Sequence, residues 1–549
     1  VTVEHAYQPE FPAQKADIAY GLTADRTGER CFTSPTPGAA NDESQTCGFV
    51  AEVEFSVERG FFDAPLTVEL TTATLGATIL YTTDAATPGE GVGTVYTQPI
   101  AIDTTTVLRA VAVLPPLVAG KVVTHSYIFL DDVIRQSAAN LPPGYPDKWG
   151  DGVDADYDMD PEVVNDPAYS GEIKDGLKSI PTLSIVSDID NLFGQKNGLY
   201  MHTKGRGIKW ERPVSAELIH SDSSRGFQVD CGLRIQGGAG RSARVKKHAM
   251  RLLFKTIYGP GRLEHRLFPE SPVTSFNTIS LTSRYNFSWH NASDRALYIR
   301  DTWAKDTQFD MGQISGHSLY VHLYLNGIYW GQYRITERPD SSFLASYLGG
   351  EESDWDVIKS SKVIDGDRVA WKTLVDLADA GVGSDAGYQS VLEYLDVENF
   401  IDYMILNIYA ENSDWDWHNW YGVRRREPGA GFKFISWDAE VILENANANA
   451  TSKNFRNAPT SVYHDLRKEN AEFRVVFGDR VHRHFFNDGA LTPENAAARF
   501  QRRADEIFSA LIGESARWGD KSRTVPYTRD NEWMVEKQWL MLSYFPRRT

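Results

Sequence analysis

Two carboxylates and a carboxamide in the C-terminal third are the residues best placed by type and spacing to do chemistry. The stretch Ala410-Glu-Asn-Ser-Asp-Trp-Asp-Trp-His-Asn-Trp-Tyr421 holds Asp414 and Asn419 in a D-x-x-x-x-N spacing. Gly431-Phe-Lys-Phe-Ile-Ser-Trp-Asp438 then ends a β-like run on a second acid, Asp438. A catalytic loop with this spacing uses its Asp to accept a hydroxyl proton and its Asn to hold a metal ion, and a strand-terminal Asp supplies the other metal ligand. Phosphoryl transfer asks for little more than a positioned acceptor, metal ions and cations over the remaining charge. Asp414 is therefore the candidate base, with Asn419 and Asp438 as metal ligands for Mg²⁺ or Mn²⁺. Asp416 competes with Asp414 as the base, and spacing alone does not separate them. The bland alternative is a helix end whose Asp and Asn side chains cap turns.

A phosphate-binding counterpart lies upstream. Ile235-Gln-Gly-Gly-Ala-Gly-Arg-Ser-Ala-Arg-Val-Lys-Lys-His248 places Gly237, Gly238 and Gly240 between two strand-like runs, followed by Arg241, Arg244, Lys246 and Lys247. Glycines let backbone amides approach an anion, and the basic residues add charge. These residues are the candidate nucleotide-binding loop, against the alternative of a hairpin with a solvated charged tip. A strand lysine wants an acidic partner; Glu337 is the candidate, and it could equally cap the helix begun by Pro339-Asp340-Ser341.

The elements that must position these groups follow from periodicity. At 549 residues the chain exceeds one core, at roughly 100–200 residues per domain. Residues 1–48 read as the irregular tail of a preceding β domain or a linker. Residues 49–132 carry short alternating runs at 66–70, 77–81 and 106–112, which predict a small all-β, Ig-like sandwich. Residues 133–179 read as a polar linker. Its alternating Asp154, Asp156, Asp158 and Asp160 lack the glycine turn and bidentate Glu of a calcium loop. From 180 to 549, strand-like runs at 182–186, 232–236, 248–254 and 322–325 precede helix-like runs at 294–309, 397–410 and much of 460–515. Strands early and helices late predict an α+β domain with a helical C-terminal lobe.

Over 180–548 the chain resembles the CotH (spore coat protein H) family of atypical, ATP-dependent protein kinases, a bacterial family. The matching blocks include Gly232-Leu-Arg-Ile-Gln-Gly-Gly238, Arg300-Asp301, Leu325-Asn-Gly-Ile-Tyr-Trp-Gly-Gln-Tyr333, Asp354-Trp-Asp-Val-Ile-Lys359, Asn412-Ser-Asp-Trp415 and Phe434-Ile-Ser-Trp-Asp438. The resemblance implies a two-lobed, protein-kinase-like domain with Asp414 catalytic, Asn419 and Asp438 on the metal, and Lys247 on phosphate. Two departures put turnover in question. Trp-Asp-Trp-His fills the loop between Asp414 and Asn419, and Ala-Glu-Val-Ile-Leu follows Asp438, with Glu440 as a substitute acid. Residues 79–84, 96–100 and 107–112 make the sandwich similar to the module at the C-terminus of chitobiases and β-hexosaminidases, a companion domain of extracellular proteins.

Bulk properties limit the partners. The formal net charge of −18 disfavours nucleic acid, and no apolar run is long enough to span a membrane. The expected partner is a protein substrate, basic and Ser/Thr-rich, with transfer of AMP instead of phosphate as a variant. The alternative is an inactive pseudokinase serving adhesion, with carbohydrate contact through the sandwich and sugar stacking among the 14 Trp. The His and Cys residues form no zinc-spaced cluster, and His482-Arg-His484 reads as a surface helix feature. A two-acid glycosidase pair is not visible. Cys31 and Cys47 flank a turn-rich stretch and can close a disulfide, which leaves Cys231 unpaired. A secreted or cell-surface location is expected, with a signal peptide not in this chain.

Overall fold

The structure is a computed structural model that describes residues 18–32, 36–41, 46–115, 117–222, 224–283, 285–360 and 362–549. Part of the expected irregular tail lies outside those residues. The rest forms a three-stranded sheet, Ala19–Leu22, Glu29–Phe32 and Thr46–Cys47, whose register sets Cys31 opposite Cys47. Cys31 is disulfide-bonded, and Cys231 is free and buried.

The expected sandwich follows. Its main sheet runs Gly60–Phe61, Val123–Ile128, Thr106–Val113, Thr78–Thr82, Thr94–Val95 in spatial order. Leu108, Ala110 and Ala112 point into the sandwich core. Val107, on the opposite face, packs instead with Val186 of the next domain. A strand covered on both faces reads as a nearly continuous apolar run, which is why 107–113 alternates so weakly. Ser126 joins the same contact, its hydroxyl 2.8 Å from Ser184 and 2.5 Å from the buried Glu217 carboxylate.

Residues 133–179 are not a solvated linker. Trp149, Tyr157, Tyr169 and Leu177 are buried against the following domain. Each acid of the alternating run has its own task. Asp154 pairs with Lys148, and Asp156 pairs with Lys246 and Arg517. Asp158 accepts from the Ala138 amide, and Asp160 caps the Pro161–Val164 helix.

Seven strands close a barrel in the order Thr182–Val186, Arg212–Ile219, Phe227–Ile235, Met250–Leu253, Thr278–Thr282, Ile328–Thr336, Ser318–Leu325. All neighbours are antiparallel except the closing pair, Thr182–Val186 with Ser318–Leu325. Alternation sends Leu233, Ile235, Met250, Leu252, Ile279 and Leu281 into the barrel. Arg234, Arg251 and Ser280 fall on the outer face.

The remaining chain is mainly helical, around a second core that includes Trp303, Tyr403, Phe434 and Phe500. A four-stranded sheet, Lys362–Asp365, Trp355–Lys359, Trp420–Arg425, Lys433–Ser436, lies beside it. Capping follows the sequence signals: Asp396, Thr492 ahead of Pro493, and Asp340 each accept a backbone N–H at a helix start. The helix expected at 294–309 begins only at Arg300, because Tyr298 adopts a φ of 66°. His484 is buried, not on the surface, and its imidazole meets Asp402 at 2.9 Å.

Candidate active site

The site is assembled by one hairpin and one zippered pair of loops. Strands Trp420–Arg425 and Lys433–Ser436 pair with Trp420 opposite Ser436. Asn419, just before the first strand, and Asp438, just after the second, are thereby brought to the same end. The Val397–Tyr409 helix delivers the Asp414 loop, and Glu411 breaks it with a φ of 49°. Backbone bonds then tie this loop to the segment after Asp438. The Ser413 amide donates to Val441 at 3.2 Å, and the Leu443 amide donates to Ala410 at 2.9 Å. The buried Glu411 carboxylate accepts from the amides of Glu444 and Asn445.

Asp414 and Asp438 consequently stand near enough for their charges to interact. Burial first, and then the neighbouring Asp438, raise the Asp414 carboxyl above the ordinary carboxylate range, opposed by His418 and Lys453. His418 Nε2 lies 3.5 Å from the Asp414 carboxylate. Asn419 donates its amide to the Asp414 carbonyl at 2.9 Å, which leaves its side-chain oxygen as an acceptor. Asp416 is differently placed: it is buried, accepts from Thr460 at 3.3 Å and lies 3.6 Å from Lys453. It anchors the loop, and Asp414 is the acid turned toward Asp438. Trp415 is buried beneath them, edge-on to Tyr403, whereas Trp417 is exposed.

Asp438 itself is exposed and holds a φ of 59°, a left-handed conformation uncommon for a residue with a Cβ. The turn is pinned by the buried Asp301, which accepts from the Ala439 amide at 2.8 Å and is ion-paired to Arg334 at 2.5 Å and Lys305 at 3.5 Å. Glu440 accepts from the Asn286 amide at 2.8 Å and the Tyr285 amide at 3.3 Å. It therefore serves as a bracket to the segment after the Thr278–Thr282 strand. Together with Asn286, Phe287, Tyr298, Arg300 and Asp301 it lines a small recess beside the site.

The expected nucleotide-binding residues divide. Gly237, Gly238 and Gly240 form an open turn with Gly237 at a φ of 105°, and a Cβ on Gly240 would meet only Tyr285, at 3.9 Å. Tyr285 is the residue whose amide meets Glu440, so this loop closes over the same end of the cleft. Arg241 does not face it. Its guanidinium is buried and donates to the carbonyls of Gly237, Thr203, Gly205 and Ile235. Lys247 is a further correction to the sequence expectation. Its ammonium is fully buried, 2.6 Å from Glu514 and 2.7 Å from the Gln332 carbonyl, so a phosphate has no access to it. Glu337 pairs with no strand lysine; it accepts from the His317 amide and from Tyr347, both at 2.8 Å. The sequence does not show this, because Arg241 ends the short turn Ala239–Arg241 and Lys247 lies in the bend before Met250–Leu253, where no strand alternation sets a direction. Lys247 and Arg241 are turned inward by the run back into the barrel.

Asp301 and Lys359 are the principal residues absent from the sequence expectation for the site. Lys359 ends the Trp355–Lys359 strand, and its ammonium lies over the rings of Trp437 at 5.2 Å and Tyr421 at 5.7 Å. Both residues lie inside the blocks Arg300-Asp301 and Asp354-Trp-Asp-Val-Ile-Lys359, which is the signal that could have found them.

The donor set fits a small divalent cation. Among the described residues no group of three or more His, Cys, Asp or Glu could hold a metal by itself. Mg²⁺ binds through one or two carboxylates and completes its shell with phosphate oxygens and water; the exposed Asp438 carboxylate and the side-chain oxygen of Asn419 are the donors that would hold it.

Two parts of the chain match known family models. Residues 275–541 match the family model described as CotH kinase protein, and residues 57–124 match the chitobiase/β-hexosaminidase C-terminal domain. The chain thus carries a CotH kinase domain preceded by a chitobiase-type module. The matched region opens inside the barrel, so the strands from Thr182–Val186 to Met250–Leu253 complete a structure that the family region only begins to cover. No curated protein matches the chain.

Proposed function

We propose that this protein is an atypical protein kinase that transfers the γ-phosphoryl group of ATP to Ser or Thr hydroxyls of secreted, coat or surface proteins. The observation that carries the reading is the convergence of Asp414, Asn419 and Asp438, 24 residues apart in sequence, through the zippered loops. A bound Mg²⁺ or Mn²⁺ would be held by Asp438 and Asn419 and would neutralise phosphate charge. Asp414 accepts the acceptor hydroxyl's proton as the new O–Pγ bond forms and the bond to the β-phosphate oxygen breaks, releasing ADP. Its raised pKa suits a group that must take up a proton. The Gly237–Gly238–Gly240 turn and the Glu440 bracket close the cleft end and limit water. The disulfide at Cys31 supports an oxidising, extracellular setting. A surface of net charge −18 favours a basic acceptor.

The test is transfer of label from γ-labelled ATP, with Mg²⁺ or Mn²⁺, to basic acceptor proteins. Wild type should label Ser or Thr, and Asp414→Ala should reduce labelling by at least about a hundredfold. Equal labelling by the two proteins, or none by either, would sink the reading.

A further inference from the structure

With Lys247 and Arg241 committed elsewhere, the cleft needs another source of positive charge. We propose that Lys359, Arg338 and Arg251 form its anion-binding arm and take the polyphosphate oxygens of a nucleoside triphosphate. This rests on the phosphotransferase reading of the same site.

The three residues come from three elements that meet around one ring. Lys359 is the register partner of Tyr421 on the neighbouring strand. Arg251 projects from the outer face of the barrel, opposite Ser280 and between the inward-facing Met250 and Leu252. Arg338 follows the Ile328–Thr336 strand and lines a recess with Asp340 and Phe343. Arg251, Arg338 and Asp438 all act on Tyr421 electrostatically, and Arg338 and Asp438 also act on Lys359. Among the described residues, none of the three cationic side chains makes a hydrogen bond or ion pair. The Tyr421 hydroxyl at the centre is fully buried and also lacks a hydrogen-bond partner. The three cations, unlike that enclosed hydroxyl, are only partly buried, so unpaired they stay open to a ligand that accepts.

The nearby acids do not meet that demand. Asp340 spends its carboxylate on the Phe343 amide as a helix cap, and Asp365 accepts from the Ser341 amide. Lys305, on the same Trp437 ring at 5.0 Å, shows the contrast: it is paired with Asp301 and hydrogen-bonded to Thr336. Lys359 is therefore the ammonium left to a ligand. Burial and the positive neighbours depress both Lys359 and Arg251, the latter to about 10, as expected of cations gathered ahead of their anion. Three cations beside a metal-binding carboxylate suit a chain of phosphates better than a single carboxylate.

The experiment is calorimetric titration of the full chain with MgATP, with Mg-tripolyphosphate and with adenosine. It uses wild type, Lys359→Met, Arg338→Met and the double variant, each checked by thermal melting. Lys359→Met should weaken MgATP and tripolyphosphate binding about tenfold or more and leave adenosine binding unchanged. The double variant should lose tripolyphosphate binding altogether. Wild-type affinity for tripolyphosphate in both single variants, or no tripolyphosphate binding by wild type, overturns the anion arm. Label transfer that persists in Asp414→Ala while tripolyphosphate binding still depends on Lys359 removes the kinase reading and keeps the anion arm.

Discussion

At the scale of single residues, two lysines and two aspartates that read alike in sequence have opposite fates. Lys247 and Glu514 are both completely buried, and each one's charge is compensated mainly by the other. Removing one partner of such a pair leaves an uncompensated charge, a loss of about 3–5 kcal/mol. Lys247→Met should therefore lower stability by that amount in denaturant titration while leaving the nucleotide dissociation constant of the folded protein unchanged. A matching rise in that constant would return Lys247 to the site. Asp414 and Asp416 separate in the same way. Asp416→Asn disturbs Thr460 and Lys453 and should cost about 1–2 kcal/mol of stability. Retained phosphate transfer in Asp416→Asn, against its loss in Asp414→Ala, would identify the base.

At the scale of elements, the site depends on loops that are tied together, more than on the strands that carry them. Glu411 ends one helix and accepts two amides from the segment beyond Asp438. Glu411→Gln keeps the shape and weakens both charge-assisted bonds. The expected result is a fall in kcat of about tenfold with KM for ATP little changed, because the acid pair is displaced while the nucleotide site remains. A loss confined to KM would place the zipper's effect on nucleotide binding instead. Much of this element level was legible in the sequence. The helix caps at Asp396, Thr492 and Asp340, and the strands at 182–186 and 322–325, follow from local pattern. The late start of the helix at Arg300 was not legible, since no local pattern marks Tyr298 for its φ of 66°.

At the scale of the whole molecule, the β-sandwich and the barrel form a joined body through a polar contact. Glu217 is fully buried between Ser126, Ser184 and Arg59, and burial pushes its carboxyl up to about 7 against the pull of Arg59. A carboxyl raised from 4.5 to about 7 favours the folded state fully at pH values below the unfolded value. That contribution is lost as pH rises through about 7, when the buried group must ionise. The melting temperature should therefore fall between about pH 4.5 and pH 7 and level off above, and Glu217→Gln should flatten that part of the profile. An unchanged slope in the variant would assign the pH dependence to other groups. The segment 133–179 misreads as a linker for a separate reason. Its polar composition is real, but Trp149, Tyr157 and Tyr169 fix it to the barrel, and its acids are answered by Lys246 and Arg517 from distant sequence.

The amino-acid order alone determined the domain sequence, the strand and helix periodicities, the capping signals, and the D-x-x-x-x-N loop with its later aspartate. All of these depend on neighbours within a few positions, where side-chain type and backbone preference act directly. Which cations face the cleft was decided only by tertiary structure. Packing of the Leu511–Trp518 helix on the barrel sets Glu514 against Lys247, and the pairing of Trp355–Lys359 with Trp420–Arg425 leaves Lys359 near Asp438. Lys247 lies in a bend and its partner Glu514 is 267 residues away, so no local pattern of charged residues records the pairing.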